Sequence, residues 1–220
     1  MKDIIQSIRK DCRQAMNGIV STSMREYGLD YKLNFGLVNL QIKALADKYG
    51  PSAPLAEALW KETTRELKIL STLIYPMEEF DEPTAERWVA EIPNQEIREQ
   101  ICINLFQNLP YADDVAKKWA DNSDDEIRIT GYWLLTRLLL SKKMKAGLSP
   151  KDFNHLWKDV VSEKLFLRKG AALTLKQLAR LSKEEADFIL ENLRPYQTDD
   201  DPIKQEAYKE VAFEVEFFYS

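Results

Sequence analysis

The chain has 220 residues, 45% of them hydrophobic, which is enough apolar surface for a folded core and too much for a disordered chain. Its 31 Lys and Arg against 36 Asp and Glu leave a formal charge of −5, so a uniformly basic nucleic-acid binder is excluded and any such function must rest on local charge. Two cysteines and one histidine exclude a disulfide framework and leave too few ligands for the common zinc sites.

The opening segment, MKDIIQSIRKDCRQAM, lacks the uninterrupted apolar stretch of a signal peptide. No later window approaches the roughly 18 apolar residues of a membrane span, so a cytoplasmic protein without membrane contact is expected. Cys12 and Cys102 each fall within apolar helix spacing and read as buried thiols in a reducing compartment.

From there on apolar residues recur at helical spacing. The sets are Leu33, Leu37, Leu40 and Leu45; Leu67, Leu70, Leu73 and Ile74; Ile97, Ile101, Leu105 and Leu109; and Leu134, Leu135, Leu138 and Leu139. No alternating run bounded by turn residues competes with them, so the class is all-α. Breakers separate the helices at Gly50-Pro51, Pro76, Pro83, Pro93, Pro110, Gly147 with Pro150, Pro195 and Pro202.

Segments of this length suit paired-helix repeats, and a weak repeat is present. Ile97-Arg98, Ile127-Arg128, Leu167-Arg168 and Ile203-Lys204 each open a helix with an apolar residue followed by a base. In three of the four a small residue, Gly131, Ala171 or Ala207, stands three places after the base. Asn94, Asp124, Asp125, Asp199, Asp200 and Asp201 precede several of these helices, where they can cap them. The pattern predicts one domain over 1–220, a right-handed α-solenoid of HEAT-like helix pairs with a concave groove. Bases at the same point of successive second helices would then form a ladder along that groove. The other reading is that each base pairs with an acid of the adjacent repeat and holds the stack.

Charge is distributed unevenly. Between Arg137 and Lys183 there are 12 Lys or Arg against three acids, whereas Glu184 to the end has 11 acids against three bases. The basic stretch is either a solvated face or a polyanion-binding surface, and the acidic segment after it could cover it.

Few residues can carry catalysis. His155, in KDFNHLWKDV, has no second imidazole or thiol near it in sequence and reads as a partly exposed helix residue. Phosphate-loop, dinucleotide and C-x-x-C motifs are absent, so no metal and no cofactor are expected. Of the five tryptophans, Trp60, Trp119 and Trp157 read as core, while Trp88 and Trp133 stand beside bases in ERWV and GYWLLTR and are candidates for stacking on DNA.

The segment from Phe35 to Ile74, with Phe35-Gly36-Leu37, Leu59-Trp60 and Glu66, resembles the start of the AlkD-type DNA alkylation repair family, and the later repeats fit that family in order and spacing. The resemblance implies a HEAT-like solenoid that holds duplex DNA in a basic groove and releases N3- or N7-alkylated purines. A carboxylate would stabilise positive charge developing on the deoxyribose, with no flipping of the base required. Aligned with this chain, the family's tryptophan falls on Asn94, its catalytic aspartate on Arg98, one of its paired arginines on Ile129, and a second tryptophan on Leu173. Arg98 inverts the sign of the field at the reacting sugar, an exchange worth several powers of ten in rate.

The expected protein is therefore a DNA-binding member of the family with weak or absent glycosylase activity and no assigned catalytic residue. Its partner would be duplex DNA, alkylated or not. Arg65, Lys68, Arg98, Arg128, Arg137, Arg168, Lys169, Lys176 and Lys204 are expected as phosphate contacts, with Asn94, Trp88 and Trp133 beside them. The competing readings are a HEAT-like scaffold for protein partners and an active alkylpurine glycosylase with a relocated carboxylate.

Overall fold

The computed structural model describes residues 1–29, 31–144 and 147–220. Lys145 of the basic stretch lies outside them. Among the described residues thirteen α-helices follow one another: α1 Lys2–Gln14, α2 Gly18–Glu26, α3 Asn39–Tyr49, α4 Ala53–Trp60, α5 Arg65–Ile74, α6 Glu82–Ala90, α7 Gln95–Asn104, α8 Ala112–Ala120, α9 Asp125–Leu140, α10 Leu156–Asp159, α11 Leu165–Ala179, α12 Lys183–Leu193 and α13 Pro202–Tyr219. Among the described residues the one β-type pairing is an isolated bridge between Leu33 and Thr64.

The helix starts follow the sequence closely. Asn94, Asp124 and Asp201 are N-caps whose side chains accept backbone N–H groups of the first turn, as do Asn17, Ser52, Asp81 and Ser182. Pro83 and Pro202 are not breaks between helices: each lies in the first turn of its helix, where the missing N–H would have had no intrahelical acceptor. Of the expected breakers, Gly50 takes φ 65°, a left-handed conformation that lets α3 stop sharply.

The described chain forms two compact units, Met1–Leu109 and Pro110–Ser220. In the first, α4 packs on α5, and α5 packs on α3 and α7. Its core contains a stacked pair, Trp60 and Trp88, with ring centroids 4.1 Å apart and planes 4° from parallel. Phe80 and Tyr75 meet Trp88 edge-on. Such contacts add about 0.5–1.5 kcal/mol each beyond the area they bury. The Phe35-Gly36-Leu37 motif has a physical reason: the buried Glu66 carboxylate accepts the N–H of Phe35 at 3.0 Å and of Leu37 at 3.3 Å. Gly36 sits between them at φ 72°, where a Cβ would lie 2.2 Å from the Asn17 carbonyl oxygen.

In the second unit α9 packs on α8 and α11, and α13 lies against α11 and α12. The small residues of the repeat are buried at these contacts. A Cβ on Gly131 would stand 2.1 Å from the backbone nitrogen of Ala120, so the close approach of α8 and α9 requires glycine there. Ala171 and Ala207 are likewise buried.

Cys12 and Cys102 are buried, and burial pushes the Cys12 thiol up to about 12. No helix among the described residues is long and apolar enough to cross a membrane.

Candidate nucleic-acid interface

Three of the arginines expected to face a ligand are buried instead. Arg65, Arg98 and Arg128 are 3%, 2% and 3% exposed. Arg65, at the first position of α5, donates to both carboxylate oxygens of Glu96, at 2.7 to 3.0 Å, to the Leu37 carbonyl and to Glu66. Burial opposes its charge, but Glu96 and Glu66 outweigh that and raise its pKa.

Arg128 repeats the arrangement in the second unit. Its Nε and Nη2 hold Asp159, which is 1% exposed, and Nη2 also holds Asp125 at 2.5 Å. Here too burial opposes the charge and the two carboxylates prevail. Tyr132 donates its hydroxyl to the same Asp159 at 2.8 Å.

The repeated base has a second use. Arg128 Nη1 donates to the carbonyls of Asn122 and Ser123, six and five residues earlier, and Arg168 Nη1 donates to Ser162 and Glu163 at the same offsets. A base at the fourth helical position thus reaches back and satisfies the turn that precedes its own helix. Arg98 stands at the same position of α7 and donates to Gln95 Oε1 at 2.7 Å. At this helical position Arg128 and Arg168 close turns, Arg128 also neutralises a buried aspartate, and Arg98 is buried. Of the two readings open at the sequence level, Arg65 and Arg128 follow the one in which a base pairs with an acid from the neighbouring helix pair.

Trp88, expected to stack on DNA, is fully buried against Trp60, and its indole N–H donates to Glu57 at 3.2 Å. Trp133 is half-buried and its indole nitrogen has no hydrogen-bond partner among the described residues. The basic stretch is partly covered, because Lys176 and Arg180 on α11 pair with Glu210 and Glu214 on α13. Lys204 pairs with Asp199 at 2.9 Å. Arg137 is half-buried, and Lys169 is exposed without a carboxylate partner among the described residues.

The first unit contains a pocket of about 440 Å³ lined by Gly28, Leu29, Tyr31, Lys32, Thr63, Lys68, Pro93 and Asn94. Asn94 caps α7 through Oδ1, which accepts the N–H of Ile97 at 3.0 Å and the Tyr31 hydroxyl at 3.2 Å. With Oδ1 so engaged, the amide presents its NH2 end elsewhere. Glu96 is occupied by Arg65 and by the Tyr31 hydroxyl at 2.5 Å. Burial, then Glu96, raises the Tyr31 pKa, so this hydroxyl stays protonated.

Lys68 is half-buried, donates to the Trp60 carbonyl and lies 4.3 Å from the centroid of the Trp60 ring. Burial lowers its pKa, with Glu91 opposing at longer range. Neither Lys68 nor the exposed Lys32 has a carboxylate partner among the described residues, and none of the described lining residues is an acid.

A family model described as DNA alkylation repair enzyme matches residues 8–192. The chain belongs to this family. A comparison with curated proteins finds no match. Among solved structures it is similar to a protein from "a new family of proteins related to the HEAT-like repeat DNA glycosylases with affinity for branched DNA structures". The TM-score is 0.70 and the identity 15%, with 94% of each chain covered. At this identity the likeness shows the fold, an α-solenoid of HEAT-like helix pairs. Within the DNA alkylation repair family, the sequence pointed to Asn94 and Lys68 in this pocket and missed Tyr31, Lys32 and Thr63. Tyr31 and Lys32 stand just before Phe35-Gly36-Leu37, and closeness to that motif was the one signal that could have found them.

Proposed function

We propose that the chain binds DNA as a member of the DNA alkylation repair family and does not excise alkylated bases by a carboxylate at the start of α7. What supports the reading is the match of the DNA alkylation repair family model over residues 8–192, together with the resemblance that puts Arg98, a buried arginine, where the family has its catalytic aspartate. Excision of an alkylpurine needs negative charge beside a sugar that becomes positive. Lys32 and Lys68, among the described residues of the pocket, suit the phosphate backbone instead.

Glu96 is the nearest alternative carboxylate on α7, but Arg65 holds both of its oxygens and Tyr31 donates to it as well. Its charge is spent on the fold. Phosphate contacts come instead from Lys32 and Lys68, with Asn94 beside them, and from Arg137, Arg168 and Lys169 in the second unit. Trp133 is the candidate there for stacking on a base.

Branched DNA is the natural first ligand to compare with linear duplex, given what the similar solved protein binds. Fluorescence anisotropy with a three-way junction and a linear duplex of equal length tests binding, and chromatography of methylated duplex after incubation tests excision. Binding that weakens steeply with salt, without release of methylpurine, is expected. Rapid release abolished by one Asp or Glu substitution would overturn the reading.

A further inference from the structure

We infer that the outward side of α1 is a DNA contact, a strip of cations that lies along the phosphates of one strand of a duplex. It rests on the DNA-binding reading for its partner and extends that reading to residues outside the pocket. At about 100° per residue, Lys2, Gln6, Arg9, Lys10 and Arg13 fall within an arc of about 100° on one side of the helix. Ile8 and Cys12, on another side, are fully buried and fix how the helix is turned. Lys2, Gln6, Lys10 and Arg13 are exposed as a result.

The two acids of α1 have other places. Asp11 is turned toward α3, where it accepts from Lys48 Nζ and the Tyr49 hydroxyl, each at 2.6 Å, and those bonds hold its carboxyl below the usual carboxylate range. Asp3 stands in the first turn, where a carboxylate favours the positive end of the helix. Arg9 anchors the strip: it pairs with Glu62 at 2.6 Å, which sets this side of α1 beside the segment after α4 and its exposed Lys61. Four bases against two acids leave the helix net positive, with three of those bases facing solvent.

From Lys2 to Arg13 the strip spans about 16 Å at about 1.5 Å per residue, the length of about five phosphates on one strand at about 3.4 Å each. Ammonium and guanidinium groups along such a line, with the Gln6 amide between them, are donors of the kind that position a duplex through its phosphates. The apolar side of α1 is occupied by the core, which leaves charge as what this helix offers an outside partner. Protein interfaces take most of their energy from a few anchors buried in well-packed pockets, so an open row of Lys, Arg and Gln fits a polyphosphate better than a protein.

The experiment uses the full chain and a short fluorescent linear duplex, titrated by anisotropy at several salt concentrations. Lys10→Ala/Arg13→Ala is compared with Lys43→Ala/Lys209→Ala, which removes the same charge from exposed positions elsewhere. In the first variant the slope of log affinity against log salt should become shallower by about 2, and affinity at moderate salt should fall about tenfold. The second should keep the parent slope. Lys10→Arg/Arg13→Lys should restore it, and thermal melts report whether each variant is folded.

A parent slope retained in Lys10→Ala/Arg13→Ala, while the parent chain binds duplex, overturns the inference and leaves the DNA-binding reading standing. The same flattening in both double alanine variants reports net charge alone and also overturns it. Displacement of the duplex by polyglutamate as readily as by unlabelled duplex assigns this side of α1 to acidic protein segments and overturns it too. A folded parent chain with no affinity for duplex or branched DNA overturns the DNA-binding reading, and the strip with it.

Discussion

Cations at the helix starts and cations in the pocket have opposite surroundings. Arg65 and Arg128 are buried and each is held by two carboxylates, whereas Lys32 and Lys68 line a cavity with no acid among its described residues. In the sequence Arg65, Lys68 and Arg128 all look like contacts on one basic surface, and Lys32 goes unnoticed. The contrast indicates that a base within the first turns of a repeat helix is well placed to serve the turn behind it and the acid of a neighbouring helix pair. A base left over for a ligand is better sought where no acid is in reach.

The strongest loss should follow a change at a helix-start base. Arg128→Met removes the partner of buried Asp159 and should destabilise the second unit by about 3–5 kcal/mol, read by urea denaturation, because an uncompensated carboxylate remains. A loss below about 1 kcal/mol would show that Arg128 is not needed for the fold and would return it to the candidates for DNA contact. Next in size is Gly131→Ala, which should lose about 1–3 kcal/mol by forcing α8 away from α9.

A weaker response concerns pH. Hydrogen bonds from Lys164 and then Arg128 hold the Asp125 carboxyl below the usual carboxylate range. A depressed folded-state pKa stabilises above the unfolded value of about 3.9, and that contribution disappears as pH falls through the folded-state value. Asp125→Asn should therefore show a flatter dependence of melting temperature on pH below about 4 than the parent. Least of all should stability change in Lys32→Ala: an exposed lysine without a carboxylate partner among the described residues should alter it by no more than about 0.5 kcal/mol in a thermal melt, even though duplex affinity falls.

Much of the architecture was legible in the sequence, because i, i+3, i+4 spacing and cap chemistry are local properties. Asn94, Asp124 and Asp201 could be identified as caps from their place before an apolar-periodic run. Even the small residues at Gly131, Ala171 and Ala207 were visible as a repeat. The partners of Arg65 and Arg128 were not, since Glu96 and Asp159 each lie 31 residues further along the chain and only the stacking of helix pairs brings them in. Trp88 beside Arg87 looked available for the same reason: its stacking partner, Trp60, belongs to another helix. Of the pocket, Lys68 and Asn94 were legible through family columns and charge, while Tyr31, Lys32 and Thr63 come from connecting segments that carry no periodicity.

The salt dependence of affinity for one DNA duplex, measured by anisotropy for the parent chain and for Lys32→Ala/Lys68→Gln, bears on whether the pocket lysines meet phosphate. If they do, the slope of log affinity against log salt should become shallower by about 2 in the double variant. Identical slopes in the two proteins, or no measurable binding by a folded parent chain, would contradict it.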